Sequence, residues 1–322
     1  GPNTTYIRRV TEPWAESTIT WNNQPSLSPV NTVQIPTSTQ PNQDYFNLDI
    51  KSITQDIVNF PLKNFGICLH LLTESGNRGL IFSSSDHINS SLHPKMTITY
   101  TTTVYACKNI KLNTHYFEDV LLSNLNGEEN INWDSSFEFN SLSWTNQSNH
   151  VDHRTIFNFD LDSLLQNQKV ISAKLNLFYC SSFNSNGPHS QLNGPNQSHI
   201  YKVKHPWSSS TVTWVNQPQI DSNNSTLVPS HIFDDDNYFG IDISNICINF
   251  QNNPSENFGM LLKLDNESQY RRLVFASSNH PDSLIRPEIE LVYIPKTNQE
   301  SEQQGITVYP NPSIGSFTIS SF

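Results

Sequence analysis

The sequence has 322 residues and lacks any apolar run that approaches the ~18 residues of a membrane-spanning helix. It also lacks a cluster of lysine and arginine, since 18 basic residues are scattered among 29 acidic ones and the formal net charge is −11. Nucleic acids and anionic membrane surfaces are therefore poor partners for this chain. We predict no nucleic-acid partner and no membrane span.

Cysteine is scarce as well. Cys68, Cys107, Cys180 and Cys247 show no spacing typical of a metal cluster or of a disulfide scaffold. We interpret the four as single small buried residues, and whether any of them pair stays open at this point. Charged residues make up only 15 % of the chain, whereas Asn, Ser, Thr and Gln are abundant. Such a neutral polar surface is common in extracellular β proteins.

The strongest pattern is an internal repeat. The segment PWAESTITWNNQP at 13–25 returns as PWSSSTVTWVNQP at 206–218, a shift of 193 residues. The shift holds without a gap from 1–100 to 194–293, and about 39 of these 100 pairs are identical. A period of this length indicates a repeated domain and not the coil of a solenoid.

The repeat predicts the domain organisation. Residues 1–103 correspond to the C-terminal half of one module, and residues 104–294 form a complete second module. Residues 295–304 have the composition of a polar linker, and residues 305–322 begin a new pattern. We expect the chain to be a piece of a longer protein, because residues 104–193 have no repeat partner.

Short segments rich in β-branched and aromatic residues, separated by Asn, Ser and Gly turns, predict an all-β fold. We expect an antiparallel β-sandwich of jelly-roll type in tandem modules. Short strands are predicted at 18–21, 79–85 and 211–214, and a loop at 26–43. Asp49 and Asp242 are predicted to be the N-caps of two brief helices.

Several separated motifs carry a resemblance to a known family. They lie at Arg154–Leu161, Trp207–Pro218, Asn257–Gly259, Phe275–Ser278 and Arg286–Tyr293. In this order they resemble the DNRLRE family, also described as disaggregatase-related or as carbohydrate-binding module family 96. The resemblance implies a non-catalytic β-sandwich of secreted, multi-module proteins, some of which bind polysaccharides that include anionic ones.

The tail TVYPNPSIGSFTIS (307–320) resembles the start of the C-terminal sorting domain that the type IX secretion machinery reads. This second resemblance implies export across a bacterial outer membrane, followed by release or tethering at the cell surface. A secreted or cell-surface location is therefore expected.

Carboxylate side chains can serve in catalysis or in metal binding. None is marked as half of a facing acid–base pair of the kind that glycoside hydrolysis needs, so we predict no enzyme activity. Asp234, Asp235 and Asp236 stand together, and adjacent Asp residues on a flexible loop can supply calcium ligands. A solvated loop is the alternative, because the first module has Pro41, Asn42 and Gln43 there.

Sugar binding requires flat aromatic faces together with polar side chains that bind hydroxyl or carboxylate groups. Trp207 meets the first requirement, although the repeat also keeps it as a core-and-turn element would. The other candidates flank the turn before a predicted strand and its counterpart in the first module: Tyr270, Arg271, Arg272, Glu267, Arg78 and Glu74. An Arg–Glu pair that pins the hairpin is the alternative.

The sequence thus favours a pair of non-catalytic modules that bind an extracellular polysaccharide. Two alternatives remain: structural or adhesive spacer domains without a ligand, and an accessory part of a polysaccharide-degrading enzyme with an upstream catalytic domain.

Overall fold

The computed structural model describes residues 1–100, 106–111, 117–161, 168–180, 187–294 and 318–321. The chain divides into two units. The first consists of Gly1–Leu27, Asn31–Tyr105 and Thr297–Phe322, and the second of Ser28–Val30 and Ala106–Lys296.

The first unit is built on a small antiparallel sheet with the strand order β2-β1-β3. Its strands are β1 (Thr5–Arg9), β2 (Val33–Ile35) and β3 (Ile67–Leu71), and helix α1 spans Lys51–Asn59. Ile7, Ile35 and Ile53 form its buried apolar cluster. Strand β4 (Thr97–Tyr100) pairs in parallel with Thr318–Ser321.

The second unit contains an eight-stranded and a four-stranded antiparallel sheet. In chain order its strands are β5 (Ala106–Lys111), β6 (Phe117–Ser123), β7 (Glu138–Asn146), β8 (Asn149–Phe159), β9 (Lys169–Leu177), β10 (Ser190–Gln191), β11 (Ser198–Val203), β12 (Ile220–Val228), β13 (Tyr238–Asp242), β14 (Met260–Leu264), β15 (Arg271–Ala276) and β16 (Glu288–Ile294). The large sheet runs β10-β15-β7-β8-β14-β11-β12 with β6 beside β8, and the small sheet runs β13-β9-β16-β5. Helix α2 spans Ser244–Asn252.

One apolar core joins the two sheets of the second unit. Phe157 and Leu262 come from the large sheet, Leu175 and Leu291 come from the small one, and all four belong to the same buried cluster. The sheets therefore pack face to face, and the predicted all-β antiparallel sandwich is confirmed.

A second apolar cluster lies on the other face of the large sheet. Strand residues alternate between faces, so Ile156 and Leu261 join this outer cluster with Val120, while Phe157 and Leu262 fill the main core. Trp207 and Trp214 are half-buried against it. The repeated segment 206–218 is thus a cover over the outer face of the sheet.

The predicted strands at 18–21 and 211–214 are wrong, because an asparagine side chain closes a turn in each segment. The Asn216 carbonyl oxygen accepts the Thr213 backbone N–H at 2.6 Å, and its amide donates to the Thr211 carbonyl at 3.0 Å. Asn23 repeats this arrangement with Thr20 and Thr18. Local side-chain bonds of this kind compete with strand formation.

Two further corrections concern strands. The predicted loop at 26–43 contains β2, and the equivalent stretch of the second unit is β12. The predicted buried strand at 79–85 is not formed, and Ile81 is 97 % exposed whereas its repeat counterpart Val274 is 1 % exposed. Val274 lies on β15, which pairs with β7, and residues 1–100 contain no counterpart of β7.

The prediction that Asp49 and Asp242 are N-caps is wrong by one residue, because each helix begins one position later than expected. Each carboxylate accepts a backbone N–H of the first helical turn at 2.9 Å, from Lys51 and Ser244 respectively. The N-cap positions themselves are occupied by isoleucine.

Among the cysteines, Cys180 and Cys247 are buried as expected, but Cys107 is exposed and Cys68 is half-buried. None of the four, which all lie in the described part of the chain, forms a disulfide bond. None of the helices in the described part of the chain has both the length and the apolar character needed to cross a membrane. The predicted linker at 295–304 lies outside the described residues, and so does the sorting motif at 307–320 apart from its last three residues in the strand Thr318–Ser321.

Candidate functional site

Tyr270 and Trp144 meet at the end of the large sheet, where the turn after β14 enters β15. The Tyr270 backbone N–H donates to the Ser143 carbonyl at 2.8 Å, which places its ring beside the next residue of β7. The Tyr270 and Trp144 rings pack edge to face, with their centroids 5.1 Å apart and their planes at 90°. Tyr270 remains 37 % exposed.

Arg272 completes this group of side chains. Its guanidinium carbon lies 4.3 Å from the centroid of the Trp144 ring, which is the geometry of a cation–π contact. Its Nε donates to the Pro188 carbonyl at 2.6 Å. Nη1 and Nη2 make no hydrogen bond with any described residue, and Nη2 lies beside Gly187, where an added Cβ atom would be 2.7 Å away. We call Trp144, Tyr270 and Arg272 the aromatic–arginine cluster.

The electrostatics around Arg272 are mixed. Burial lowers the pKa of its guanidinium, while Tyr179, Glu138 and Asp234 oppose that shift. A guanidinium remains cationic in proteins under ordinary conditions. The cluster therefore offers one cation with acidic groups nearby, which suits hydrogen bonding to hydroxyl groups as much as contact with a carboxylate.

Tyr270 adopts a backbone conformation that rarely holds a tyrosine. Its φ is +72°, and its repeat counterpart Asn77 has a φ of +66°. The turn therefore requires the left-handed region in both units, and asparagine tolerates it with little strain. A tyrosine there costs roughly 1 kcal/mol or more, and strained residues of this kind concentrate at functional sites.

Sequence reasoning identified Tyr270 and Arg272 but missed Trp144. The only available signal was the position of Trp144 at the end of the strand segment 137–144. Its proximity to Tyr270 depends on the pairing of β7 with β15, which joins residues more than a hundred positions apart.

Arg271 does not belong to the cluster. It is buried, and its Nη1 donates to the Ser268 carbonyl at 2.9 Å and contacts the Ser268 hydroxyl. Arg78 contacts Ser75 in the same way in the first unit. Both arginines therefore close the turn that precedes them, and the alternative of an Arg–Glu pair across this turn is wrong.

Glu267 binds an arginine from another strand. Arg154 on β8 donates to both of its carboxylate oxygens, from Nε and Nη2, at 2.7 Å each. The Arg154 guanidinium also lies 4.3 Å from the Trp214 ring centroid. Burial raises the pKa of Glu267, but Arg154 and Lys263 outweigh this effect and the pKa lies below its usual value. The first-unit counterpart Glu74 is exposed.

Trp207 is a structural anchor. Its indole Nε1 donates to the Phe258 carbonyl at 2.7 Å, and its ring packs against the outer apolar cluster. Trp14 makes the same bond to the Phe65 carbonyl, also at 2.7 Å. The repeat keeps this tryptophan because it fixes the cover segment to the sheet.

The three adjacent aspartates do not point to a common centre. Asp236 is buried, and its carboxylate accepts the backbone N–H groups of Ile232 at 2.7 Å and Phe233 at 3.0 Å. The Asp234 carboxylate lies 3.3 Å from His231 Nε2. Across the described ranges, no group of three or more His, Cys, Asp or Glu side chains is placed to hold a metal ion.

His189 connects this aspartate loop to β15. Its Nδ1 accepts the Val274 backbone N–H at 2.9 Å, so Nε2 carries the proton and donates to the Asp236 carbonyl at 3.0 Å. Burial lowers the pKa of His189 to about 3. The imidazole is therefore neutral, and it serves as a structural bridge.

Comparison with known families gives a match over most of the chain. The family model of carbohydrate-binding module family 96 matches residues 1–100 and 128–293. The matched ranges include all three members of the aromatic–arginine cluster and the whole cover segment. No curated protein matches the chain.

Proposed function

Since the chain belongs to carbohydrate-binding module family 96, we propose that its second unit binds a polysaccharide through the aromatic–arginine cluster. The two units would act as non-catalytic modules that hold a secreted or cell-surface protein on this polymer. If the first unit binds as well, two linked sites raise the overall affinity through effective concentration.

The cluster supports this proposal because it combines the two features that sugar recognition needs. The exposed face of Tyr270 can stack against the C–H face of a pyranose ring, as aromatic side chains do with apolar surface. The Nη1 and Nη2 groups of Arg272, which make no hydrogen bond with a described residue, can donate to sugar oxygens. Trp144 holds both side chains in place, which reduces the ordering cost of binding.

A non-catalytic role is supported by the state of Asp119, a buried carboxylic acid whose pKa is strongly raised. Burial raises the pKa of Asp119 to about 7, which is a value suited to a general acid. However, Asp119 is only 6 % exposed and accepts hydrogen bonds from the Ser278 backbone N–H and hydroxyl. Its carboxyl group is therefore committed to the interior and not presented to a substrate.

Export by the type IX machinery remains part of the proposal and depends on the YPNP motif at 309–312. Asn311→Ala should abolish the appearance of the protein in the culture medium or on the cell surface. Unchanged export of this variant would remove the type IX interpretation.

Retention on polysaccharides tests the proposed function directly. The whole chain is passed over neutral and uronate-bearing polymers, with and without calcium, beside the Arg272→Gln variant. We expect retention on one polymer class and a loss of at least about tenfold in the variant, equivalent to about 1.4 kcal/mol. If no polymer retains the folded wild-type chain, the proposal that this chain binds a polysaccharide is wrong.

A further inference from the structure

A buried lysine of the second unit contacts both an asparagine and a glutamate. Lys202 lies on β11, and its side chain is 8 % exposed. Its Nζ donates to the Asn249 side-chain oxygen at 2.6 Å and to the Glu256 carboxylate at 2.8 Å. Asn249 belongs to α2, and Glu256 to the short turn Pro254–Glu256 that follows it. We propose that Lys202 and Asn249 join in an isopeptide bond, which covalently links strand β11 to helix α2.

The packing of the core places the lysine amine against apolar groups. Ile200, two residues earlier on β11, belongs to the main buried cluster, so Lys202 points to the same face of the sheet. Its Nζ lies 5.8 Å from the ring centroid of Phe250, which is a member of that cluster. A lysine amine in apolar surroundings acts as a nucleophile once it has lost its proton. Because the fold holds the amine beside its target, the encounter costs little further entropy.

Asn249 supplies the carbonyl carbon that the amine attacks. This carbon lies one C=O bond length, about 1.2 Å, beyond the oxygen that Lys202 Nζ already contacts. The Asn249 side-chain nitrogen makes no hydrogen bond with any described residue. No group in that part of the chain therefore holds this nitrogen back when it leaves as ammonia.

Glu256 serves as the acid and base of the step. Its carboxylate takes one proton from the Lys202 ammonium, and the neutral amine forms the bond from Nζ to Asn249 Cγ. The Glu256 acid then protonates the Asn249 nitrogen and takes the second proton from Nζ, while the Cγ–Nδ2 bond breaks. The released ammonia carries that second proton away as ammonium, so Glu256 ends as a carboxylate and no other reactant is consumed. The Glu256 side chain is 59 % exposed, which gives the ammonium a route to solvent.

The first unit has the same contact with different chemistry. The counterparts of Lys202, Asn249 and Glu256 are Arg9, Asp56 and Lys63. Arg9 Nη1 lies 3.9 Å from the Asp56 carboxylate. A guanidinium keeps its proton, and a carboxylate has no amine to release, so this pair stays ionic. The proposed bond therefore belongs to the second unit alone.

The bond would close a loop from residue 202 to residue 249. A cross-link of this kind restricts the unfolded chain in the way that a disulfide does. The cysteines provide no such link, since none of the four in the described part of the chain forms a disulfide. The isopeptide bond would thus hold α2 on β11 when the protein is pulled against a surface.

Mass spectrometry of the whole purified chain tests the proposal. The denatured wild type should weigh one ammonia less than its sequence, and a tryptic digest should contain one peptide that joins Lys202 to Asn249. Lys202→Arg and Asn249→Asp should each have the mass of their own sequence and lack the joined peptide. Glu256→Gln should slow its formation about a hundredfold, because the acid–base group is lost. Lys204→Arg, which changes an exposed lysine two residues away, should form the joined peptide as the wild type does.

Three results would count against the proposal. A wild-type chain of full sequence mass without the joined peptide would show that the contact is only an ion pair. A loss of ammonia that persists in Lys202→Arg would come from another asparagine and would overturn it as well. Wild-type yield of the joined peptide in Glu256→Gln would overturn the role given to that carboxylate. None of these measurements involves a polysaccharide, so the cross-link and the proposed function stand or fall separately.

Discussion

Tyr270 meets Trp144 edge to face from a backbone position whose φ is +72°. The same turn of the first unit carries Asn77, which fits the left-handed region at lower cost. The second unit thus accepts backbone strain at the one position that brings a tyrosine ring to Trp144 and Arg272. The ligand contact that we propose for this ring would explain why the strain is tolerated.

The ion pair of Arg154 with Glu267 should contribute much more to the free energy of unfolding than the pair of Lys263 with the same carboxylate. Arg154→Ala removes a two-pronged ion pair and the contact with Trp214, and it leaves Glu267 largely buried with a weaker partner. We expect a loss of roughly 2–3 kcal/mol in the free energy of unfolding, measured by urea denaturation followed through tryptophan fluorescence.

Lys263→Ala is the matched comparison for that change. Lys263 lies 3.6 Å from the same carboxylate and is partly exposed, so its removal should cost less than about 0.5 kcal/mol. Equal losses in the two variants would mean that the forked geometry contributes nothing beyond charge.

The contact between Gly194 and Arg271 predicts a sensitive glycine. Gly194 has a φ of +104°, and a Cβ atom there would lie 2.8 Å from Arg271 Nη2. Gly194→Ala should therefore lower the melting temperature, with a cost of about 1–3 kcal/mol from strain and crowding. Gly76→Ala is the control, because its φ is ordinary and no atom lies within 4 Å of the added carbon. A thermal shift of equal size in both variants would contradict this account.

His189 should make stability depend on pH. Its pKa is about 3 in the folded state against 6.5 for the free side chain, so the unfolded chain binds the extra proton between these values. The contribution of neutral His189 to the free energy of unfolding is fully present above pH 6.5. It is lost as the pH falls, at up to about 1.4 kcal/mol per pH unit. The buried Asp119 acts in the opposite direction, since its raised pKa stabilises the folded state as the pH falls from 7.

A variant isolates the His189 contribution from the other titrating groups. His189→Gln can accept from Val274 and donate to Asp236 without titrating, while Asp119 and His153 remain unchanged. We expect the unfolding free energies of variant and wild type to converge as the pH falls from 7 to 5. If the unfolding free energies of variant and wild type instead run parallel from pH 7 to pH 5, the pKa of His189 is not lowered in the folded state.

The sequence alone predicted the sandwich because its strands follow from local alternation and composition. Turn closure by Asn216 and the pairing of β15 with β7 were not predictable in the same way. The first is a side-chain bond that overrides strand propensity, and the second depends on a partner far away in the chain. The same distance effect explains why Tyr270 and Arg272 were identified while Trp144 was missed.

Hydrogen bonds that no sequence pattern reveals exclude two of the predicted sugar-contact residues from the candidate site. Trp207 and Arg271 have the right chemistry for sugar binding, but each donates to a backbone carbonyl in the structure. Repetition of a residue in both units therefore marked structural anchors, whereas the position that differs, Tyr270 against Asn77, marks the candidate contact.

The central claim is tested most directly by the affinity of Tyr270→Asn for the polysaccharide that retains the wild-type chain. Asparagine already occupies this turn in the first unit, so the variant should keep or slightly raise the melting temperature. We predict a fall in affinity of about tenfold, because the stacking face is lost while the fold is intact. Wild-type affinity in a variant with an unchanged melting temperature would contradict the claim that the aromatic–arginine cluster binds the sugar.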